Sequence, residues 1–138
     1  MLVEGDRIAK IATSITSAGA TVIDAAGKYL MPGMIDDQVH FREPGMTHKA
    51  DLATESMAAA AGGITSFMEM PNVDPLTTTA DALRNKYQLA DGRCASNYAF
   101  YLGATNTNIE DIKALRVCLL YTSPSPRDAT LSRMPSSA

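Results

Sequence analysis

The chain has 138 residues, 46% hydrophobic and 20% charged, with a net charge of −3. That is enough chain for a folded core, and it offers no basic field for nucleic acid. No apolar run approaches the roughly 18–20 residues that cross a bilayer, and the N-terminus lacks the order of a signal peptide. The expectations are therefore no nucleic acid, no membrane and a cytoplasmic location. Cys94 and Cys118 lie far apart, which fits free thiols in a reducing compartment better than a disulfide or a CxxC metal site.

Residues 1–31 read as short strands and turns. Glu4-Gly5-Asp6 separates Leu2-Val3 from Arg7-Ile8-Ala9-Lys10-Ile11 in a hairpin pattern, and Ala20-Thr21-Val22-Ile23-Asp24 is β-rich. Pro32-Gly33 punctuates the chain before Ile35-Asp36-Asp37-Gln38-Val39-His40-Phe41-Arg42-Glu43-Pro44-Gly45. Ile35, Val39 and Phe41 suit a buried strand that Pro44-Gly45 stops. Alternation would then put Gln38, His40 and Arg42 on one face.

From there strands and helices alternate. Asp51 to Ala61 predicts a helix with Asp51 as N-cap, Thr47 competing, and Gly62-Gly63 as its stop. A second strand follows over Ile64–Met70, ended by Pro71-Asn72. The Thr77-Thr78-Thr79 run offers a cap for a helix over 80–91. Asn97–Leu102 reads as a third strand, and Asn106-Thr107-Asn108 can cap a short helix through Leu115. This order signals βαβ units and a parallel sheet, an α/β fold. From about Arg116 the chain is rich in serine and proline without periodicity, so 116–138 is expected to be disordered.

Three side chains could carry chemistry. His40, near the C-terminal end of its strand, is either a satisfied structural histidine or a metal ligand where α/β folds place their sites. Arg42 offers a bidentate fork to a substrate carboxylate, or a salt bridge to Glu43 or Asp36. Asn72 ends the second strand at the same mouth, where its amide either meets a substrate or stabilises its own turn. Asp36, Asp37 and Glu69 are carboxylates within strands with no catalytic assignment, and His48 and Lys49 read as a solvated loop. Motifs for a serine elbow, a phosphate loop or a dinucleotide fold are absent from the sequence.

Met31-Pro32-Gly33-Met34-Ile35-Asp36, with Val39-His40-Phe41-Arg42-Glu43-Pro44-Gly45, resembles the opening metal-binding segment of dihydroorotases in the amidohydrolase superfamily. Gly62-Gly63-Ile64-Thr65 and Met70-Pro71-Asn72 follow as the next two landmarks of that family. The resemblance covers roughly residues 1–115. Allantoinases and hydantoinases are related alternatives, as is a non-catalytic homologue that binds a partner enzyme.

The resemblance implies the N-terminal part of a (β/α)8 metal-dependent hydrolase barrel, about three βα units over 32–115. A partial small β-domain over 1–31 would precede it, and an unrelated tail over 116–138 would follow. It implies a small-molecule substrate, dihydroorotate or N-carbamoyl-aspartate, and Zn2+ as cofactor, one or two ions in a complete parent. Homo-oligomerisation of the parent is left open. His40 would be a zinc ligand, and Arg42 and Asn72 would bind the substrate carboxylate. The family pattern has histidine where this chain has Gln38, whose carbonyl is the weaker ligand. A (β/α)8 barrel runs to about 250 residues, so the chain is expected to be an inactive fragment.

Overall fold

The computed structural model describes residues 1–115; the expected tail over 116–138 lies outside the described residues. Two compact units are present, Met1–Met31 and a second beginning at Pro32.

In the first unit, β1 (Leu2–Glu4) pairs antiparallel with β2 (Arg7–Lys10), Glu4 opposite Arg7, around Gly5 at φ 61°. The hairpin pattern is realised. The strand expected over Ala20–Asp24 is not: those residues carry no strand, and Val22 and Ile23 are 87% and 89% exposed. β-propensity expresses packing on a neighbouring ladder, and no described ladder runs beside this segment.

The second unit is a three-stranded parallel sheet in the order β3 (Met34–Val39), β4 (Ile64–Glu69), β5 (Asn97–Phe100). Helix α1 (Leu52–Ala61) joins the first two strands, α2 (Ala80–Ala90) the second and third, and α3 (Ile109–Ala114) follows. Three successive βα units with sequential parallel pairing are the building plan of a (β/α)8 barrel, and the fold class is the expected α/β. The core is Val39, Phe41, Leu52, Phe67, Leu83, Ala90, Phe100 and Leu102. Phe41 and Phe67 pack as tilted rings with centroids 4.7 Å apart, and Tyr87 meets Phe100 edge-on at 4.9 Å.

Caps set the helix starts. Asp51 accepts from the N–H groups of Ala53 and Thr54, both at 3.0 Å, and from the Thr54 hydroxyl at 2.8 Å. These donors hold its carboxyl below the ordinary value of 3.8. Thr79 accepts from Ala82 N–H at 3.1 Å. Gly63 takes φ 89° just past α1, the left-handed turn that ends a helix cheaply only with glycine.

A pH test follows for Asp51. A carboxyl whose folded pKa is depressed adds stability that is present above 3.8 and is lost as the pH falls through its lower folded value. Asp51→Asn keeps the cap's acceptor without the charge. The variant is expected to unfold at a lower midpoint than wild type at pH 7, and the gap should close in acid. Thermal melts across pH would show a constant gap if charge played no part.

At α3 the outcome differs from expectation. Asn108 occupies the N-cap position, but its side chain makes no capping bond. Its amide instead donates to the carbonyls of Thr78 and Gly103, both at 2.8 Å, and its oxygen accepts from Thr105 N–H at 2.7 Å. Tying two loops together satisfies all three groups of a buried amide, which one capping bond cannot do.

Candidate functional site

The site forms where β3 and β4 run out at their C-terminal ends. β3 was expected to carry His40 and Arg42 on one face with Gln38, but it stops at Val39. Two irregularities explain the difference. The pairing of β3 with β4 shifts between Met34 and Ile35, where one step on β3 faces two on β4, and again between Asp36 and Val39, where three steps on β3 face two. Such a bulge undoes simple alternation. Ile35, expected in the buried face, is 71% exposed, whereas Val39 and Phe41 are buried. Arg42 then takes φ 67°, which no strand residue adopts.

Beyond the strand the chain is held at several points. Met70 N–H donates to Val39 C=O at 3.0 Å, and Asp74 N–H to Pro44 C=O at 3.1 Å. Gly45, at φ 83°, lies so close to the Asp74 backbone that a Cβ there would collide with it. The Glu43-Pro44 and Asp74-Pro75 peptides are both cis. Glu43 is buried and pairs with Arg93, Nη1 to Oε1 at 2.7 Å and Nη2 to Oε2 at 3.3 Å. Its Oε2 also accepts from Leu52 N–H at 3.0 Å, in the first turn of α1. A carboxylate at a helix N-terminus meets both the orphan N–H groups and the helix dipole. The Glu43 carboxylate in turn raises the Arg93 pKa.

Against this frame stand the three residues singled out from sequence, and the structure brings them together. His40 Nδ1 is 2.9 Å from Asn72 Oδ1. An amide oxygen only accepts, so Nδ1 is the donor in this contact, which leaves Nε2 as the nitrogen that carries the lone pair whenever the ring is a neutral imidazole. Arg42 Nη1 donates to the Asn72 backbone carbonyl at 3.2 Å. Of the partners weighed for Arg42, Glu43 is taken by Arg93, and no described carboxylate forms an ion pair with the Arg42 guanidinium. Both His40 and Arg42 are half-buried. Gln38 does not share the corner. It is exposed, and its N–H donates to Asp36 Oδ1 at 3.0 Å. His48 and Lys49 are exposed as expected.

Sequence reasoning missed a buried pair directly below. Lys86 Nζ lies 2.8 Å from Glu69 Oε2, with neither side chain exposed. Lys86 also donates to the Met70 carbonyl at 3.3 Å and sits 5.0 Å from the Phe100 ring centroid. Burial pushes the Glu69 carboxyl up and the Lys86 ammonium down, each opposed by its partner's charge. A signal was present. Lys86 falls on the stripe of Leu83 and Ala90, the buried positions of α2, and Glu69 interrupts an apolar strand between Phe67 and Met70.

The segment that builds this corner also matches known proteins. Residues 27–80 match a family model described as dihydro-orotase-like. They are dihydroorotase-like. The dihydroorotase of Streptococcus pneumoniae serotype 4 is 47% identical over 90 residues, 65% of this chain and 21% of that protein. The dihydroorotase of Streptococcus pyogenes serotype M1 is 46% identical over 84 residues, 61% of this chain and 20% of that protein. The chain thus spans about a fifth of the length of these curated relatives. Among solved structures, the L-hydantoinase (dihydropyrimidinase) from Arthrobacter aurescens superposes with a TM-score of 0.63 at 29% identity. That match covers 80% of this chain and 28% of the hydantoinase. The dihydroorotase-like match over 27–80 includes the β3–α1–β4 unit and every residue of the corner.

The resemblance over 27–80 implies a metal, and the described donors can be tested against that. Among the described residues no group of three His, Cys, Asp or Glu side chains could hold a metal ion. The whole sequence holds two histidines, and His48 is an exposed loop residue. The described donors do not fit a zinc centre, so these residues alone have no means of activating water through one. What they do offer, among the described residues, is an imidazole fixed through Nδ1, a guanidinium in no ion pair and an amide whose Nδ2 has donors to spare.

Proposed function

We propose that this chain carries the first corner of a cyclic amidohydrolase whose substrate is dihydroorotate, opened to N-carbamoyl-aspartate. Arg42 and Asn72 would hold the substrate carboxylate, and His40 would supply one imidazole ligand through Nε2. The observation that carries the reading is the meeting of Arg42 and Asn72 from two strand ends. Among the described residues, a guanidinium without a carboxylate partner stands beside an amide whose oxygen is engaged and whose NH2 is not. That pair is a receptor for a planar anion. The amide's division of labour matters: Oδ1 fixes His40, and Nδ2 remains as a donor for a ligand. Gln38 would add no ligand from its exposed position, and with one fixed imidazole the chain by itself would not turn over substrate. Domain limits at 31 and 115 belong to the same reading, as does a soluble cytoplasmic setting. The described residues contain no helix long and apolar enough to cross a membrane.

The hydantoinase match supports a second reading, a ring substrate without a carboxylate. Ligand titration of the 138-residue chain, followed by NMR at Arg42 Nε–H and Asn72 Nδ2–H2, separates the two. Dihydroorotate and N-carbamoyl-L-aspartate are expected to shift both signals. Dihydrouracil, which lacks the carboxylate, should bind about tenfold more weakly, through loss of a charge-assisted contact worth roughly 1.5 kcal/mol. Equal responses would favour the hydantoinase-type substrate. A second measurement addresses turnover: with zinc added, dihydroorotate hydrolysis by this chain is expected to stay at background.

A further inference from the structure

The second bulge in β3 centres on one peptide group, and side chains hold it at both of its polar atoms. Asp36 pairs with Phe67 and Val39 with Glu69, so Asp37 and Gln38 have no counterpart on β4. Gln38 N–H donates to Asp36 Oδ1 at 3.0 Å, the short local bond that an aspartate makes to the amide two residues on. Asp37 C=O accepts from the Tyr101 hydroxyl, also at 3.0 Å, from 64 residues further along the chain. Tyr101 follows directly on β5, and its own N–H donates to Glu69 C=O at 2.9 Å. Its hydroxyl lies 3.6 Å from Met68 Sδ, so the ring passes over β4 to reach β3. Phe100, one residue earlier, meets Lys86 of α2, and by alternation Tyr101 crosses the sheet on the face away from that helix.

The place of the bulge decides where His40 points. Had the register run on unbroken from Asp36, Gln38 would pair with Glu69, and His40 would share the face that Glu69 turns toward Lys86. The bulge gives that place to Val39, and Phe41 follows it into the core against Phe67. His40, between them, is left for the other face, and its Nδ1 meets Asn72 Oδ1 at 2.9 Å. Bulges beside sites re-aim side chains in this way. We propose that Tyr101 is a positioning residue for the anion-binding corner, its hydroxyl fixing the β3 bulge that turns His40 toward Asn72, with Asp36 holding the same peptide from its N–H side. This rests on the reading of Arg42 and Asn72 as carboxylate ligands. A phenol suits the task, because β3 and β5 lie roughly 10 Å apart across β4, beyond the reach of a serine or threonine hydroxyl.

The test is NMR on the full 138-residue chain. In wild type the Tyr101 hydroxyl proton is expected to exchange with water at least about tenfold more slowly than in free tyrosine. Exchange at the free rate would overturn the proposal. Tyr101→Phe keeps the ring and removes only the donor. Its α1 and β5 amides should keep their protection, while the Asp37 carbonyl, His40 Nδ1 and Asn72 Nδ2 signals should all move. Affinity for N-carbamoyl-L-aspartate should fall by about three- to tenfold, the range of one hydrogen bond. A hydroxyl that only stabilised the sheet would lower the melting midpoint and leave the His40 and Asn72 signals where they were, which would overturn the proposal. If Tyr101→Phe does not fold, Asp36→Ala removes the other hold on the same peptide, and unchanged His40 and Asn72 signals there overturn it equally. Absence of ligand shifts in wild type would count against the carboxylate reading and not against the role of Tyr101, because His40 and Asn72 report on the corner without ligand.

Discussion

Lys86→Met alone is expected to destabilise the chain by about 3–5 kcal/mol, because it leaves the Glu69 carboxylate buried without its counter-charge. The carboxyl is already pushed toward its neutral form by burial, and Lys86 is the strongest influence opposing that push. Urea unfolding followed by circular dichroism measures the loss. The decisive comparison is with the double variant Glu69→Leu with Lys86→Met. Removing both charges should return most of the stability, since an apolar pair in a buried site is often no worse than an ion pair. A single variant as stable as wild type would mean that the Glu69 site is far wetter than its complete burial indicates.

The second large effect lies in the core. Phe67 is 1% exposed and packs at a tilt against Phe41, with ring centroids 4.7 Å apart. Phe67→Ala should cost about 3–5 kcal/mol, the transfer loss plus that of the cavity left behind. It should also loosen the root of the site, since Phe41 lies between His40 and Arg42. Against it, Met57→Ala on the exposed face of α1 should change stability by less than about 0.5 kcal/mol. Equal losses at the two positions would contradict the assigned core.

How much of this was legible in the sequence depended on whether the cause was local. Helix starts at Asp51 and Thr79 and the left-handed stop at Gly63 are governed by a few neighbouring groups, and they appear as expected. The meeting of Arg42 with Asn72 was also readable, because parallel strands place their C-terminal ends together. The detail of β3 was not. Its bulge arises from pairing with β4, and one extra residue against a neighbour leaves no trace in the alternation of Ile35, Val39 and Phe41. Asn108 was misjudged for a related reason: its loop partners Thr78 and Gly103 become neighbours only in the fold. The Glu69–Lys86 pair lay in between. Each residue was visibly out of place in an apolar pattern, but their complementarity depends on α2 packing over the end of β4.

The order of the sheet has a consequence for how the chain acquires it. Each strand pairs only with the next one along the sequence, and each pairing closes a loop of about thirty residues. Among the described residues neither pairing waits for a distant partner, so the entropy of closure is met there in two similar, modest steps. The β3–α1–β4 unit can therefore form as soon as β4 has been synthesised, with β5 and α2 added afterwards onto an existing edge. Arg42 and Asn72 would then be side by side on the nascent chain before β5 has left the ribosome.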